Sequence, residues 1–75
     1  MNSLCKRFGR RVREVRCSLN ITQEQLADMA EIDRGHMGHI ERGTKCPSLN
    51  KVEQIAKALN VQEHELMRDC VESMC

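Results

Sequence analysis

The chain has 75 residues, of which 31% are charged, and a formal net charge of +1 at pH 7. This length allows one small domain over residues 1–75, and no apolar run approaches the roughly 18 residues of a membrane-spanning helix, so we expect no membrane partner. The amino terminus also lacks the apolar stretch of a secretory signal, so we expect a cytoplasmic protein.

The charges are distributed unevenly along the chain. Residues 1–45 contain nine Lys and Arg against six Asp and Glu, a net charge of +3, whereas residues 46–75 contain three against five, a net charge of −2. Within the first half, six cations lie in eleven residues: Lys6, Arg7, Arg10, Arg11, Arg13 and Arg16. We expect a polyanion to bind this half, although the cluster alone is equally compatible with a solvated helix face.

Five cysteines in so short a chain raise the question of disulfides. Their odd number, their irregular spacing and the lack of a secretory signal favour reduced thiols. Cys17 and Cys70 fall within helical apolar patterns and are expected to pack as small hydrophobic side chains, while a redox pair such as Cys70 with Cys75 is a less favoured alternative. His36 and His39 have no CxxC motif to complete a zinc site, so we expect neither a metal nor a cofactor.

Apolar spacing predicts an all-α fold, because no strand-like alternation occurs anywhere in the chain. Helix 1 is expected from about Leu4 to Leu19, since apolar residues recur there at helical intervals: Phe8, Val12, Val15 and Leu19. Asn20 can adopt the left-handed conformation that ends a helix. The arginines between the apolar positions then face outward.

Helices 2 and 3 are predicted from their starts. Thr22 followed by Gln25 is the signature of a capping box, so helix 2 is expected over residues 23–30. Asp33 is a good N-cap for helix 3, which is expected over residues 34–42. The intervening turn is short.

Two further helices complete a predicted five-helix domain. Gly43 closes helix 3, residues 43–47 form a loop, and Ser48 caps helix 4, which Asn60 ends. The expected buried face of helix 4 consists of Leu49, Val52, Ile55, Ala56 and Leu59. A fifth helix is predicted over residues 63–74.

Helices 2 and 3 together form a predicted helix-turn-helix unit over residues 23–42. Two helices joined by a short turn cross steeply, and Ala27 supplies the small side chain needed where their backbones approach. This crossing is expected to bury Leu26, Ala30, Ile32, Met37 and Ile40. The outer face of helix 3 is then left with Arg34, Gly35, Gly38 and His39, with His36 beside them. Such a polar, partly cationic face suits the DNA major groove.

The two glycines on this outer face call for an explanation. Glycine weakens a helix by about 0.5–1 kcal/mol relative to alanine. Close approach of Gly35 and Gly38 to a nucleic-acid backbone or a thymine methyl is favoured over the alternative that the helix merely tolerates them.

Four short blocks, in the same order, resemble the Cro and lambda-repressor type of helix-turn-helix proteins, often called the XRE family. The blocks are TQEQLA at 22–27, IERG at 40–43, PSL at 47–49 and IAKALNV at 55–61. The resemblance implies a five-helix domain that binds operator DNA, usually as a dimer. Chains of this length resemble the controller proteins of restriction-modification systems, and Cro-like phage repressors are the alternative.

The resemblance also implies roles for single residues. Base edges would be read by Arg34, Gly35, His36, Gly38 and His39. Among them Arg34 is the strongest candidate, because a guanidinium can bind guanine O6 and N7 together. Phosphates would be contacted, without sequence readout, by Gln23, Arg42, Thr44 and Lys45. Arg16 and Glu41 would form a structural ion pair that links helix 1 to helix 3.

One turn position departs from the family pattern. Glu31 stands where the family usually has glycine, which adopts positive φ freely, whereas a side chain there costs about 1–2 kcal/mol. We therefore expect a strained or reshaped turn within the same fold.

A homodimer is expected because one monomer contacts only one half-site of a palindromic operator. The two-fold contact is placed on the apolar face of helix 5, formed by Leu66, Met67, Cys70, Val71 and Met74. The alternative is that this face packs entirely within the monomer.

Other functions fit the sequence less well. No nucleophile stands beside a base and an orienting acid, and no glycine-rich phosphate loop follows a strand, so we expect no enzyme. Phe8 is the only aromatic residue, whereas single-stranded nucleic acid binding needs several stacking side chains. An antitoxin-type module, which binds a protein partner and its own promoter, stays open as an alternative. We expect no small-molecule ligand, because the short loops leave little room for a cleft.

Overall fold

The computed structural model describes residues 3–66, and the regular structure in that range is entirely helical. In chain order the helices are α1 (Ser3–Ser18), α2 (Gln23–Ala30), α3 (Arg34–Arg42), α4 (Leu49–Leu59) and α5 (Glu63–Leu66). The predicted all-α fold of five helices is therefore confirmed. Within the described range, no helix combines the length and apolarity needed to cross a membrane.

The predicted helix starts are confirmed by their hydrogen bonds. The hydroxyl of Thr22 accepts from the N–H of Gln25 at 3.0 Å, and the N–H of Thr22 donates to Oε1 of Gln25 at 2.8 Å, which completes the capping box of α2. The carboxylate of Asp33 accepts from the N–H of Gly35 at 2.9 Å, and the hydroxyl of Ser48 caps α4. Local sequence therefore determines where these helices begin.

The helix ends adopt the left-handed backbone conformation. Asn20, Glu31 and Asn60 have φ of 61°, 58° and 60°, and Gly43 has φ of 76°. Asparagine and glycine tolerate this region, but Glu31 does not, so its turn stores about 1–2 kcal/mol of strain. The predicted strained turn is confirmed.

Most of the predicted core is buried, with two exceptions. The residues expected at the α2–α3 crossing all lie in one cluster with the buried faces of α1 and α4. Leu19, however, is 50% exposed because it follows the last residue of α1 and leaves its apolar stripe. Leu49 is 84% exposed because it is the first residue of α4, where none of the described residues covers it. For these two residues the prediction was wrong.

A close contact between α1 and α3 was not predicted. A Cβ added to Gly9 would overlap the carbonyl oxygen of Ile40 and lie 2.7 Å from the carbonyl oxygen of Glu41. At the carboxyl end of α3, a Cβ on Gly43 would lie 2.8 Å from Cα of Lys6. The two backbones therefore touch, and α1 supports α3 from behind.

The cysteines correct the expectation of reduced thiols. Cys5 of α1 and Cys46 of the loop before α4 form a disulfide, with their Cα atoms 5.3 Å apart and a separation of 41 positions in sequence. The docking of α1 against the end of α3 brings these two thiols together, which sequence spacing does not reveal. Cys17, expected to be packed, is exposed. Cys70 and Cys75 lie outside the described residues.

The predicted dimer surface on helix 5 also needs correction. Leu66 is fully buried in the core of the monomer, so it is not available to a partner chain. Nε of Arg11 donates to the carbonyl of Glu65 at 3.1 Å and ties α1 to α5. The rest of the proposed surface lies outside the described residues: Met67, Cys70, Val71 and Met74.

Candidate nucleic-acid interface

The back of α3 is fixed to α1 by a buried ion pair. Nε and Nη2 of Arg16 donate to the two carboxylate oxygens of Glu41 at 2.8 and 3.1 Å, and Nη1 donates to the carbonyl of Ile21 at 2.9 Å. The side chains are 13% and 3% exposed. These hydrogen bonds raise the pKa of Arg16 above its ordinary value, although burial opposes the shift. The predicted structural pair is formed.

Gln23 extends this network to the start of α2. Its Nε2 donates to Oε1 of Glu41 at 3.2 Å, so one carboxylate joins α1, α2 and α3. An amide nitrogen carries two N–H groups, so Gln23 can also donate to a phosphate beside the partly positive end of α2. Sequence reasoning had given Gln23 only the phosphate role.

The outer face of α3 differs from the expected one at Gly38. Arg34 and Gly35 are exposed and His36 and His39 partly so, but Gly38 is buried. A Cβ on Gly38 would lie 3.2 Å from Nη1 of Arg42. The guanidinium of Arg42 therefore covers the glycine, and the expectation that Gly38 faces outward was wrong.

The side chain of Gln23 lies beside the same glycine. Its Oε1 would be 3.4 Å from a Cβ on Gly38. Gly38 thus makes room for two long polar side chains, one from α2 and one from the end of α3. A glycine in the sequence does not show which side chains will pack beside it, so this arrangement could not be predicted.

His39 is joined to the loop that follows α3. The hydroxyl of Thr44 donates to the carbonyl of His39 at 3.2 Å, and the same oxygen lies 2.8 Å from Nδ1 of that residue. The side chain and the carbonyl of His39 are thus both in contact with one hydroxyl, which ties the end of α3 to the loop. Thr44, predicted to contact phosphate, is therefore already engaged within the protein. Lys45 beside it is exposed.

Arg34 is paired with a residue that sequence reasoning missed. Its Nη1 lies 3.3 Å from Oε1 of Glu24, the second residue of α2. Both residues line an open cleft of about 520 Å³ between α2 and α3, together with Asp28. The leading candidate for base readout is thus held back against α2 in the free protein.

The fold and this face together define a helix-turn-helix domain. The helix-turn-helix family HTH_3 matches residues 12–66, and the chain belongs to this family. The predicted resemblance to XRE-type proteins is confirmed.

Relatives narrow the class of regulator. The control protein C.BamHI of Bacillus amyloliquefaciens is 42% identical over 67 residues, which cover 88% of this chain and 83% of that protein. The immunity repressor protein of Bacillus phage phi105 is 39% identical over 54 residues, 72% of this chain and 38% of that protein. Among solved structures, the restriction-modification controller protein C.AhdI from Aeromonas hydrophila has a TM-score of 0.83 at 35% identity, over 87% of this chain and 98% of that chain. The chain therefore carries a helix-turn-helix DNA-binding domain with close similarity to restriction-modification controller proteins.

Proposed function

We propose that this protein is a transcriptional regulator that controls a restriction-modification system by binding a specific duplex sequence through α3. The observation that carries the proposal is the asymmetry of α3. Its back is fixed by backbone contact at Gly9 and by the ion pair of Arg16 with Glu41. Its front presents the exposed side chain of Arg34 and the partly exposed His39, as a major-groove helix requires.

Contacts to DNA divide into two kinds. Arg34 and His39, with the exposed backbone at Gly35 and His36 nearby, are proposed to read base edges. Gln23, Lys45 and the guanidinium of Arg42 are proposed to contact phosphates on either side of the groove, which positions α3 without specifying sequence. Gly38 is proposed to act indirectly: because it has no side chain, it leaves room for the guanidinium of Arg42. The side chain of Thr44 is proposed to hold the loop after α3, while its main chain faces the DNA backbone.

We further propose that the protein acts as a homodimer on a palindromic operator. The nine residues of α3 reach only one half-site, which provides too little contact for a specific affinity near 10⁻⁸ to 10⁻¹¹ M. The proposed two-fold contact uses the apolar residues after Leu66, now without Leu66 itself: Met67, Cys70, Val71 and Met74.

A phage-type repressor is the second candidate, supported by the similarity to the phi105 immunity repressor. The chain corresponds to 38% of that protein, against 83% of C.BamHI and 98% of the C.AhdI chain. The identity to C.BamHI is higher and extends over more residues than the identity to the phage repressor, which favours the controller. We also propose that the protein acts on DNA in the cytoplasm and has no enzymatic activity.

The experiment that tests the proposal begins with selection of duplexes from a randomised library by the full-length protein. We expect a palindromic site, bound by a dimer in sedimentation, with an affinity that falls steeply with salt. Arg34→Ala should reduce discrimination between the selected duplex and a scrambled one, whereas Lys45→Ala should weaken both alike. Failure of the library to yield any preferred duplex would reject the proposal.

A further inference from the structure

We propose that Glu24 is a positioning residue that limits the affinity for a matching sequence, because it holds Arg34 against α2 until guanine displaces the carboxylate. The inference rests on the proposed function, because it concerns the residue expected to read bases. It goes further by assigning a role to an acidic side chain on α2, the helix that is not inserted in the groove.

The geometry places the two side chains in competition with DNA. Glu24 is the second residue of α2 and Arg34 the first residue of α3, and 3.3 Å separates Oε1 of the one from Nη1 of the other. Asp28 lines the same cleft, so two carboxylates stand near one guanidinium. The side chains of Glu24 and Arg34 are 72% and 66% exposed, so solvent or a ligand reaches both.

An ion pair this exposed does little for the stability of the fold. Exposed pairs contribute at most about 1 kcal/mol and are weakened by salt. The pair is therefore easily broken by a stronger partner. Guanine offers the guanidinium two acceptors, O6 and N7, in a bidentate arrangement that a single carboxylate oxygen at 3.3 Å does not match.

The consequence appears when matched and unmatched sequences are compared. At a matching site Arg34 exchanges Glu24 for guanine, so binding there must break the ion pair and leaves the carboxylate unpaired beside the phosphates. At any other sequence Arg34 stays with Glu24, so the ion pair is kept and its loss does not weaken binding. Discrimination is a difference between two affinities, and Glu24 narrows it by lowering the affinity for the matching sequence.

Lys45 is a cation with which Arg34 can be compared. It is exposed, on the loop after α3, and it has no ion pair within residues 3–66. Nothing restrains it before DNA arrives, so it attracts every sequence equally. Of the two cations, only Arg34 is restrained in a way that depends on what the DNA offers.

The test measures the dissociation constants of Glu24→Gln for the selected duplex and for a scrambled duplex at one salt concentration. The substitution keeps the shape of the side chain and removes its charge. We expect the affinity for the selected duplex to rise by up to about fivefold and that for the scrambled duplex to rise less, so that discrimination between the two increases. Glu53→Gln removes the same charge from an exposed position on α4 and should leave the ratio unchanged.

A second pair of variants separates positioning from direct contact. In an Arg34→Ala background, Glu24→Gln has no guanidinium to release, so it should change both affinities by the same factor. A change in the ratio that persists in this background would show that Glu24 contacts DNA itself, which overturns the inference. An unchanged ratio in the presence of Arg34 would overturn it as well.

Failure of the inference can be told from failure of the proposed function. If the unaltered protein discriminates between duplexes and Arg34→Ala abolishes this, the proposed function stands whatever Glu24→Gln does. If the unaltered protein shows no preference for any duplex, both fall together. Circular dichroism and thermal unfolding of Glu24→Gln should match the unaltered protein, because the pair is exposed.

Discussion

The two faces of α3 differ in the contacts that hold them, which are buried on the back and exposed to solvent on the front. On the back, the backbone of α1 touches the backbone of α3 at Gly9, and the charge of Glu41 is buried and fully hydrogen-bonded. On the front, long side chains such as Arg34 and Arg42 are exposed and held only by contacts that solvent weakens. A rigid back fixes where the helix lies, while an adjustable front lets different bases compete for the same side chains. The predictions below test this difference, first on the back and last on the front.

The largest expected effect follows from removing the buried carboxylate. Glu41→Ala should lower the free energy of unfolding by about 4 kcal/mol, because it leaves the largely buried guanidinium of Arg16 without its counter-ion. Urea denaturation measures the loss. Glu53→Ala, at an exposed position on α4, should change stability by about 0.5 kcal/mol or less. Equal losses in the two variants would mean that the back of α3 is no more rigid than the surface.

The next effect concerns the disulfide between Cys5 and Cys46. It closes a loop of 41 residues in sequence, and the loop-closure entropy that it removes from the unfolded chain makes it worth up to about 4 kcal/mol. Thermal unfolding with and without a dithiol reductant should differ accordingly. The double variant Cys5→Ser with Cys46→Ser should unfold at the temperature of the reduced protein and ignore the reductant. A reductant effect that survives in that variant would assign it to other cysteines.

A smaller loss is expected where the two helices touch. Gly9→Ala should destabilise the fold by about 2 kcal/mol, because the new methyl group meets backbone carbonyls of Ile40 and Glu41 that cannot rotate away. Gly35→Ala is the matched control, since its methyl would meet only the carboxylate of Asp33, at 3.1 Å. Urea denaturation of both variants compares the faces directly, and a Gly9→Ala variant as stable as its control would contradict the backbone contact.

Whether the sequence could predict a feature depends on how far apart in the chain the interacting residues lie. The helix starts at Thr22, Asp33 and Ser48 depend on residues three positions apart or fewer, so they were readable from the chain. The left-handed turn at Glu31 was expected from resemblance to a family that usually has glycine at this position. The link from Arg16 to Glu41 spans 25 residues and came only from resemblance to a family.

The missed features depend on how α1 docks onto the rest of the fold. Helical periodicity pointed to Ala27 as the close approach, but the tighter one at Gly9 exists only because α1 lies against α3. The same docking pairs Cys5 with Cys46, which irregular spacing had argued against. Leu66 was assigned to a dimer surface because periodicity shows that a face is apolar without showing what covers it.

The smallest change in stability, and the only gain, is expected on the front of α3. Gly38→Ala should raise the free energy of unfolding by about 0.5–1 kcal/mol through the helix preference of alanine. The atoms its methyl would meet, 3.2 and 3.4 Å away, are the flexible ends of Arg42 and Gln23. Affinity for the selected duplex should nevertheless fall severalfold, because the methyl displaces the guanidinium from its place over the helix.

A double-mutant cycle tests whether displacement of Arg42 causes this loss of affinity. If the methyl acts by displacing Arg42, the binding defects of Gly38→Ala and Arg42→Ala should not add, because the second change removes a contact that the first has already lost. Additive defects would mean that DNA approaches Gly38 itself, as the sequence suggested, and that Arg42 moves aside when DNA binds. A protein made more stable yet weaker in binding would show that the front of α3 sacrifices helix stability for the placement of one guanidinium.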